Sequence, residues 1–407
     1  MKKVVKFLVG IAILSSLSGE NLRNTKLIEK ENGKQTEICA QVGAFSEECA
    51  PVNLQVCAKS AYLMDFTSET ELFAQNEEAR LPIASMCKIM TLLLSFEAIE
   101  EGNLSMQEEI CVSHRAASMG GSQVFLEENG KYTVENLLKS VVVASANDSC
   151  VALAERIAGS EELFVDQMNE KAKALGATNT LFANCTGLPK DPQYSSARDV
   201  AIFLKHLLEH EEYYPFGKVW MDKFEHPEGR YTEISNTNKL VRFYEGCDGG
   251  KTGFTSEAGF CLAATAMRKN LRVISVVIGE ETSAKRFEDV RMLFDYAFAN
   301  YSNQLMAEKG VAIEKYAEVL GGKAKSVEVC PIRSVYALQQ RGSAVEAKKD
   351  ILLRSVKAPV QKGEELGEMV IYREGVEVDR VPLVAMEEVK RATLFDCLKD
   401  IAEQWNG

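Results

Sequence analysis

Alternation of apolar and polar positions is clearest at "SAYLMDFTSETELFAQN", residues 60–76. A Thr-Ser-Glu-Thr turn there separates two short runs, and the pattern predicts a β-hairpin. The texture changes after Ser85. Ile89, Met90, Leu92, Leu93, Leu94, Phe96 and Ile99 leave hardly any polar face, which predicts a helix buried in a larger core. "TVENLLKSVVVASANDSCVALAERIAG" reads as two helices broken by the polar insert Ser145 to Asp148. "LFVDQMNEKAKALGA" is amphipathic and stops at Gly176, and "SSARDVAIFLKHLLEH" is a further helix with Ser195 or Ser196 as its cap. "GFCLAATAMRKNLRVISVVIG" predicts two strands joined at Arg-Lys-Asn, and "RFEDVRMLFDYAFANY" a closing helix. A hairpin, several helices and a late strand pair together imply an α+β domain with an antiparallel sheet, over residues 54–301.

Beyond Ser302 the runs shorten. "KSVEVCPI", "DILLRSV" and "GEMVIYREGVEVDRVPLVAM" alternate between Gly turns and predict a small, separate all-β domain, residues 302–388. Residues 389–407 end in an amphipathic helix, with Leu394, Leu398, Ile401 and Trp405 on one stripe and Phe395 and Ala402 beside it. At the other end, Lys2, Lys3 and Lys6 precede the apolar stretch Phe7 to Leu17, with small residues at Ser16, Ser18 and Gly19. That is the form of a signal peptide, residues 1–18, and implies export; the apolar run is short for a membrane span. Residues 19–53 are polar and irregular and read as a poorly ordered leader.

Composition narrows the field. The net charge of −12, without a basic cluster, argues against nucleic acid as a partner. Eleven cysteines is an odd number with no framework spacing, and several, such as Cys150 and Cys261, sit inside apolar runs. Mostly free thiols are expected, in a reducing or anaerobic habitat.

"LPIASMCKIMT" carries the candidate chemistry. Ser85 with Pro82 upstream suits an ordinary helix start, which would leave Lys88 solvated. The apolar helix that follows instead takes Lys88 towards the interior, where an ammonium is costly unless paired or put to use. Residues i and i+3 share a helix face, so the Lys88 amine can reach the Ser85 hydroxyl, and a desolvated lysine can become a base. Two further fragments lie downstream in order: Ser-Ala-Asn at Ser145 to Asn147, and Lys-Thr-Gly at Lys251 to Gly253, placed just ahead of a strand. Ser-x-x-Lys, a Ser-x-Asn triplet and Lys-Thr-Gly are the signature of β-lactamases and penicillin-binding proteins.

With "SANDSCVALAE", "GLPKDPQYSSARDVA", "NTNKLV", "DGGKTGFTSEAGFC" and "APVQKGEELGEMVIYREGVEVDRVPLVA", the chain resembles the D-alanyl-D-alanine carboxypeptidase family of low-molecular-mass penicillin-binding proteins, from about Ala58 to the end. The resemblance implies a β-lactamase/transpeptidase-like domain, its antiparallel sheet flanked by helices on both sides. It also implies removal of the last D-alanine from peptidoglycan pentapeptide stems, acylation by β-lactam antibiotics, and no cofactor or metal. Ser85 would be the nucleophile, Lys88 its base and Ser145 a proton relay to the leaving amine. Asn147 would hold the substrate amide, Lys251 would keep the site positive and help hold Ser145, and Thr252 would bond the substrate carboxylate. Gly253 would admit the substrate backbone, the N–H groups of Ser85 and Phe254 would form an oxyanion hole, and Arg286 would be the carboxylate's cation. The C-terminal helix would lie on the membrane surface. Position 87 is usually Thr or a similar small residue in such motifs, so Cys87 is a departure.

Four rivals remain in view. A β-lactamase of the same fold lacks support, because no Glu-x-x-Leu-Asn lies between the second and third motifs. A non-catalytic penicillin-binding sensor need not have retained all five of Ser85, Lys88, Ser145, Asn147 and Lys251. "HLLEH", His206 to His210, fits a zinc-peptidase helix motif, against which stands its place at a helix end; a Cys87 nucleophile has no histidine placed to activate it.

Overall fold

The computed structural model describes residues 27–31, 34–38, 54–343, 346–373, 375–396 and 398. It divides into two units, the first ending at Asn53. In that first unit Leu27–Glu31 and Lys34–Ile38 pair antiparallel, so the stretch read as an irregular leader contains a hairpin. The predicted signal peptide lies outside the described residues.

The second unit begins with the expected hairpin, β1 (Ser60–Asp65) and β2 (Glu71–Gln75). With β3 (Cys247–Thr255), β4 (Gly259–Arg268) and β5 (Leu271–Glu280) it forms one antiparallel sheet of order β2-β1-β5-β4-β3. Every residue of β1 is buried, because both sheet faces are covered. Side chains alternate across a strand: Tyr62 and Met64 enter one core, Ala61 and Leu63 the other. On one face lie α1 (Lys88–Glu100), α2 (Val134–Ala144), α3 (Asn147–Ala158), α4 (Glu161–Ala174) and α5 (Ala197–Leu207). On the other lies α6 (Ser283–Asn300). The α+β architecture with helices on both sides is as expected. So is the cap of α5, where the Ser196 hydroxyl accepts the Asp199 N–H.

Two elements differ from the reading of the sequence. The Lys-Thr-Gly triplet, placed just ahead of the strand that is β4, lies in a strand of its own that the pattern did not predict, β3, the edge of the sheet. A further hairpin, Met221–Glu225 with Tyr231–Ser235, was not anticipated. The break between α2 and α3 is also tighter than the four-residue insert: only Ser145 and Ala146 lie outside the two helices.

The all-β region follows α6 directly. β6 (Tyr301–Ala307) pairs with β9 (Val335–Gln340). β7 (Tyr316–Leu320), β8 (Ser326–Pro331), β10 (Lys348–Leu353), β11 (Val356–Lys357), β12 (Glu365–Arg373) and β13 (Val376–Ala385) form a second sheet, ordered β10-β12-β13-β8-β7-β11. It has its own core, including Val329, Ile371 and Leu383. The junction is packed, since Leu338 of β9 shares the core beneath α6. Residues 394–396 and 398 are helical, with Leu394, Phe395 and Leu398 exposed; Ile401, Ala402 and Trp405 lie outside the described residues. The eight cysteines among the described residues are all free thiols; six are buried, and Cys57 and Cys111 are exposed. Among the described residues no helix is long and apolar enough to cross a membrane.

Candidate active site

Ser85 sits in a single 3-10 turn, Ala84–Cys87, that runs straight into α1. Its side chain caps nothing, so the ordinary helix-start role is not what this serine does. The residue before it, Ala84, has φ of +47°, a left-handed conformation that costs about 1–3 kcal/mol away from glycine. Such strain beside Ser85 is held by its surroundings. One of them is Gly187, where an added Cβ would stand 2.0 Å from the Ala84 carbonyl oxygen. Another is Gly253 on β3, where it would stand 2.6 Å from the Ile83 oxygen and 3.3 Å from the Ser85 nitrogen. Only glycine lets these two segments close on the turn.

The Lys88 amine lies 2.9 Å from the Ser85 hydroxyl and donates to the Thr186 carbonyl at 2.6 Å. Lys88 has no solvent exposure. Burial disfavours its charge and lowers its pKa from the ordinary 10.5; among the described residues no carboxylate is bonded to the amine to restore it. Lys251, from β3, is buried as well and pushed down well below 10.5. Burial is the chief cause, and repulsion from Lys88 adds to it, which puts the two amines in one electrostatic neighbourhood. The bond Lys251 makes is to the Thr252 carbonyl at 3.1 Å, and no bond to Ser145 joins it among the described residues.

Ser145 ends α2 in a left-handed conformation, φ +64°, and is buried. Two residues on, Asn147 donates its amide to the Gly120 carbonyl at 2.7 Å. Its amide oxygen is buried without a partner, an acceptor left open in the wall of the site. Asp148 then accepts the Val124 and Leu126 N–H groups, both at 3.1 Å, and so ties the facing loop to α3. The third wall is β3. The Thr252 hydroxyl donates to the Thr237 hydroxyl at 2.8 Å, while the Thr237 N–H bonds the Val143 carbonyl in α2. Thr237 thus links the second and third motifs. Phe254 is 55% exposed and stacks on Phe260 with ring centroids 4.3 Å apart, so the strand end beside the site presents an aromatic face.

Arg286 lies on α6, behind β3. It donates to the carbonyls of Gly253 at 3.2 Å and Cys261 at 3.4 Å, and its guanidinium lies over the rings of Phe260 and Phe287. Burial lowers its pKa, yet a guanidinium stays charged at any ordinary pH.

The fold therefore sets Lys88 and Gly253 against the Ser85 turn, puts Lys251 in the electrostatic neighbourhood of Lys88, and links Thr252 through Thr237 to the helix that ends at Ser145, two residues before Asn147, with Arg286 behind Gly253. Reading the sequence missed Thr91, Asp148, Asn184, Thr186 and Thr237. Thr91, Asp148 and Thr237 lay inside quoted segments but no pattern there assigned them a role, while Thr186 acts through its backbone carbonyl and Asn184 by bending its own segment. The rival nucleophile fails on geometry. Cys87 is fully buried, its thiol faces the Asn184 carbonyl at 3.2 Å, and burial pushes its pKa up. The His206 to His210 motif fails because α5 ends at Leu207. His206 turns to Glu209 and His210 to Glu100, beside a cavity of about 550 Å3 lined by none of Ser85, Lys88, Ser145, Asn147 or Lys251. Among the described residues no group of three His, Cys, Asp or Glu side chains is arranged to hold a metal ion.

Comparison with known proteins agrees with this geometry. Residues 46–282 match the D-alanyl-D-alanine carboxypeptidase family (peptidase S11), beginning earlier than Ala58, and residues 301–391 match the C-terminal domain of penicillin-binding protein 5. The D-alanyl-D-alanine carboxypeptidase DacF of Bacillus subtilis is 40% identical over 86% of this chain and 90% of its own. The Streptococcus pneumoniae peptidoglycan synthesis regulatory factor PBP3 is 26% identical with a TM-score of 0.72, covering 83% of this chain and all of its own. The Listeria monocytogenes penicillin-binding protein D2, in its ampicillin-bound form, is 30% identical with a TM-score of 0.55 over 60% of this chain and 99% of its own. This chain belongs to the D-alanyl-D-alanine carboxypeptidase family.

Proposed function

We propose that this chain is a serine carboxypeptidase that removes the terminal D-alanine from peptidoglycan stem peptides through an acyl-enzyme on Ser85. The observation that carries the proposal is the 2.9 Å contact between the Ser85 hydroxyl and the amine of a lysine with no access to water. Neutral Lys88 takes the Ser85 proton as the oxygen attacks the D-Ala–D-Ala carbonyl. Ser145, at the end of α2, passes a proton to the departing nitrogen, and the open Asn147 oxygen accepts the substrate's amide N–H. The N–H groups of Ser85 and Phe254 receive the oxyanion, on a turn and a strand that Gly253 brings together. Thr252 exchanges its bond with Thr237 for one to the substrate carboxylate. That carboxylate also draws a proton back onto Lys251, and Arg286 adds a fixed positive charge behind the strand. Release of free D-alanine from a peptide ending in D-Ala-D-Ala tests the reading. Absence of release, with penicillin left intact, would return the chain to a binding role; penicillin hydrolysis would make it a β-lactamase.

Export and membrane attachment complete the proposal. Residues 1–18 direct secretion, and the helix that begins at Leu394 lies on the outer membrane surface by its apolar stripe. Leu394 and Phe395 are 79% and 85% exposed, as a face covered by lipid rather than protein would be. Deleting residues 393–407 is expected to move the mature protein from the membrane pellet to the soluble fraction. Pelleting unchanged by the deletion would refute the anchor, and recovery of the whole chain from the cytosol would refute export.

A further inference from the structure

Three side chains, Cys87 at the end of the 3-10 turn and Lys88 and Thr91 in the first turn of α1, reach the same distant segment. The Cys87 thiol meets the Asn184 carbonyl at 3.2 Å, the Thr91 hydroxyl donates to the Cys185 carbonyl at 2.7 Å, and the Lys88 amine donates to the Thr186 carbonyl at 2.6 Å. Three consecutive carbonyls, about a hundred residues away in sequence, are thus each taken by one side chain of one short helical stretch. Cys87, Lys88, Thr91 and Cys185 have no solvent exposure. The segment is bent into this shape by Asn184, whose side-chain oxygen accepts the N–H groups of Thr186 at 3.1 Å and Gly187 at 2.7 Å. Gly187 then seats against Ala84, the residue before the nucleophile.

We propose that Asn184–Gly187 is a positioning strap for the base, and that Thr91 and Cys87 are positioning residues that hold it. A neutral amine has two N–H groups and one lone pair. With one N–H held by the Thr186 carbonyl, the amine is oriented so that its lone pair faces the Ser85 hydroxyl. When Ser85 attacks, its O–H bond breaks, the proton goes to that lone pair, and the resulting ammonium keeps its bond to Thr186. The two neighbouring carbonyls cannot supply the anchor themselves, because each is occupied by a thiol or hydroxyl with no water to exchange for. The strap also keeps water from Lys88, and that burial is what lowers the amine's pKa below its ordinary 10.5.

The inference rests on Lys88 being the base, and one experiment separates the two. Benzylpenicillin acylation rates are measured across pH for wild type, Thr91→Val, Thr91→Ser and Cys87→Ser, with thermal melting of each. Thr91→Val keeps the side chain's shape and removes its donor. The expected result is a fall of about 10- to 100-fold in the acylation rate constant, with little change in the binding step. The acid limb of the profile should move to higher pH, since a wetter Lys88 keeps its proton longer, and Thr91→Ser should restore both. Cys87→Ser, which retains a donor, should behave nearly as wild type. If Thr91→Val melts lower but keeps the wild-type rate and acid limb, the bond is merely structural and the strap is overturned. If wild type itself takes up no penicillin, it is the assignment of Ser85 and Lys88 that fails.

Discussion

Ser85→Ala protein incubated with benzylpenicillin is expected to keep its unmodified mass, while the wild type gains one penicillin and keeps it. The adduct persists because acylation and deacylation ask for different things. Acylation needs the hydroxyl and the amine that lie 2.9 Å apart. Efficient deacylation of a penicilloyl ester needs a water-activating carboxylate, and the sequence has no Glu-x-x-Leu-Asn element between Ser145 and Lys251 to supply one. D-alanine release from a D-Ala-D-Ala peptide should fall by roughly 10^4-fold or more in the same variant, because removing a nucleophile leaves only binding and the oxyanion site. The substitution should not unfold the chain. Ser85 is half-buried, and its hydroxyl's bond is to Lys88, which retains the Thr186 carbonyl. A penicillin adduct on Ser85→Ala, located by peptide mapping at another residue, would displace Ser85 from its role.

Lys88→Met should cost nearly as much activity and behave differently towards pH. Methionine fills the lysine's channel without a base, so acylation should slow by about 10^3-fold while the reversible binding of penicillin persists. In the wild type the rate should rise with pH as Lys88 loses its proton, and that rise should be absent from the variant. Stability follows the same group. Burial holds the folded-state pKa of Lys88 below its ordinary 10.5, so between those two values the unfolded chain binds a proton that the folded chain does not. Stability therefore increases as pH rises through that window, and it is lost as pH falls and Lys88 must be buried charged. Lys251 is lowered in the same sense and keeps its share of the slope in the variant. Denaturant unfolding of both proteins from about pH 6 to about pH 10 measures this. Equal slopes in wild type and Lys88→Met would show that Lys88 is not titrating in the folded protein.

Much of the architecture could be read from short-range pattern. Alternation placed β1 and β2, and the all-apolar run after Ser85 foretold a helix so enclosed that Lys88 would lose its water. The failure at β3 has a local cause. "CDGGKTGFT" carries three glycines and two charges in nine residues, a poor strand by propensity. It becomes one because β4 pairs with it from Cys247 to Thr255, and because a glycine at 253 is what lets the edge approach the Ser85 turn. The hairpin Met221–Glu225 with Tyr231–Ser235 was missed for a related reason: four of the five residues of its first strand are exposed, so no apolar alternation marks it.

Sequence alone put the Ser85 hydroxyl within reach of the Lys88 amine, since residues three apart on one helix face meet whatever surrounds them. It also determined the identity of the groups on the other two walls, which three ordered motifs announce. Tertiary structure decided what makes those groups reactive. The water-free setting of Lys88, the Thr186 carbonyl that accepts one of its N–H groups, the open Asn147 oxygen and the Thr237 link from α2 to β3 all join segments that are distant along the chain. Such contacts leave no local periodicity in the sequence, because the partner is a backbone group or a single hydroxyl that any composition could supply. They exist only once the two cores have closed and brought those segments into hydrogen-bonding range.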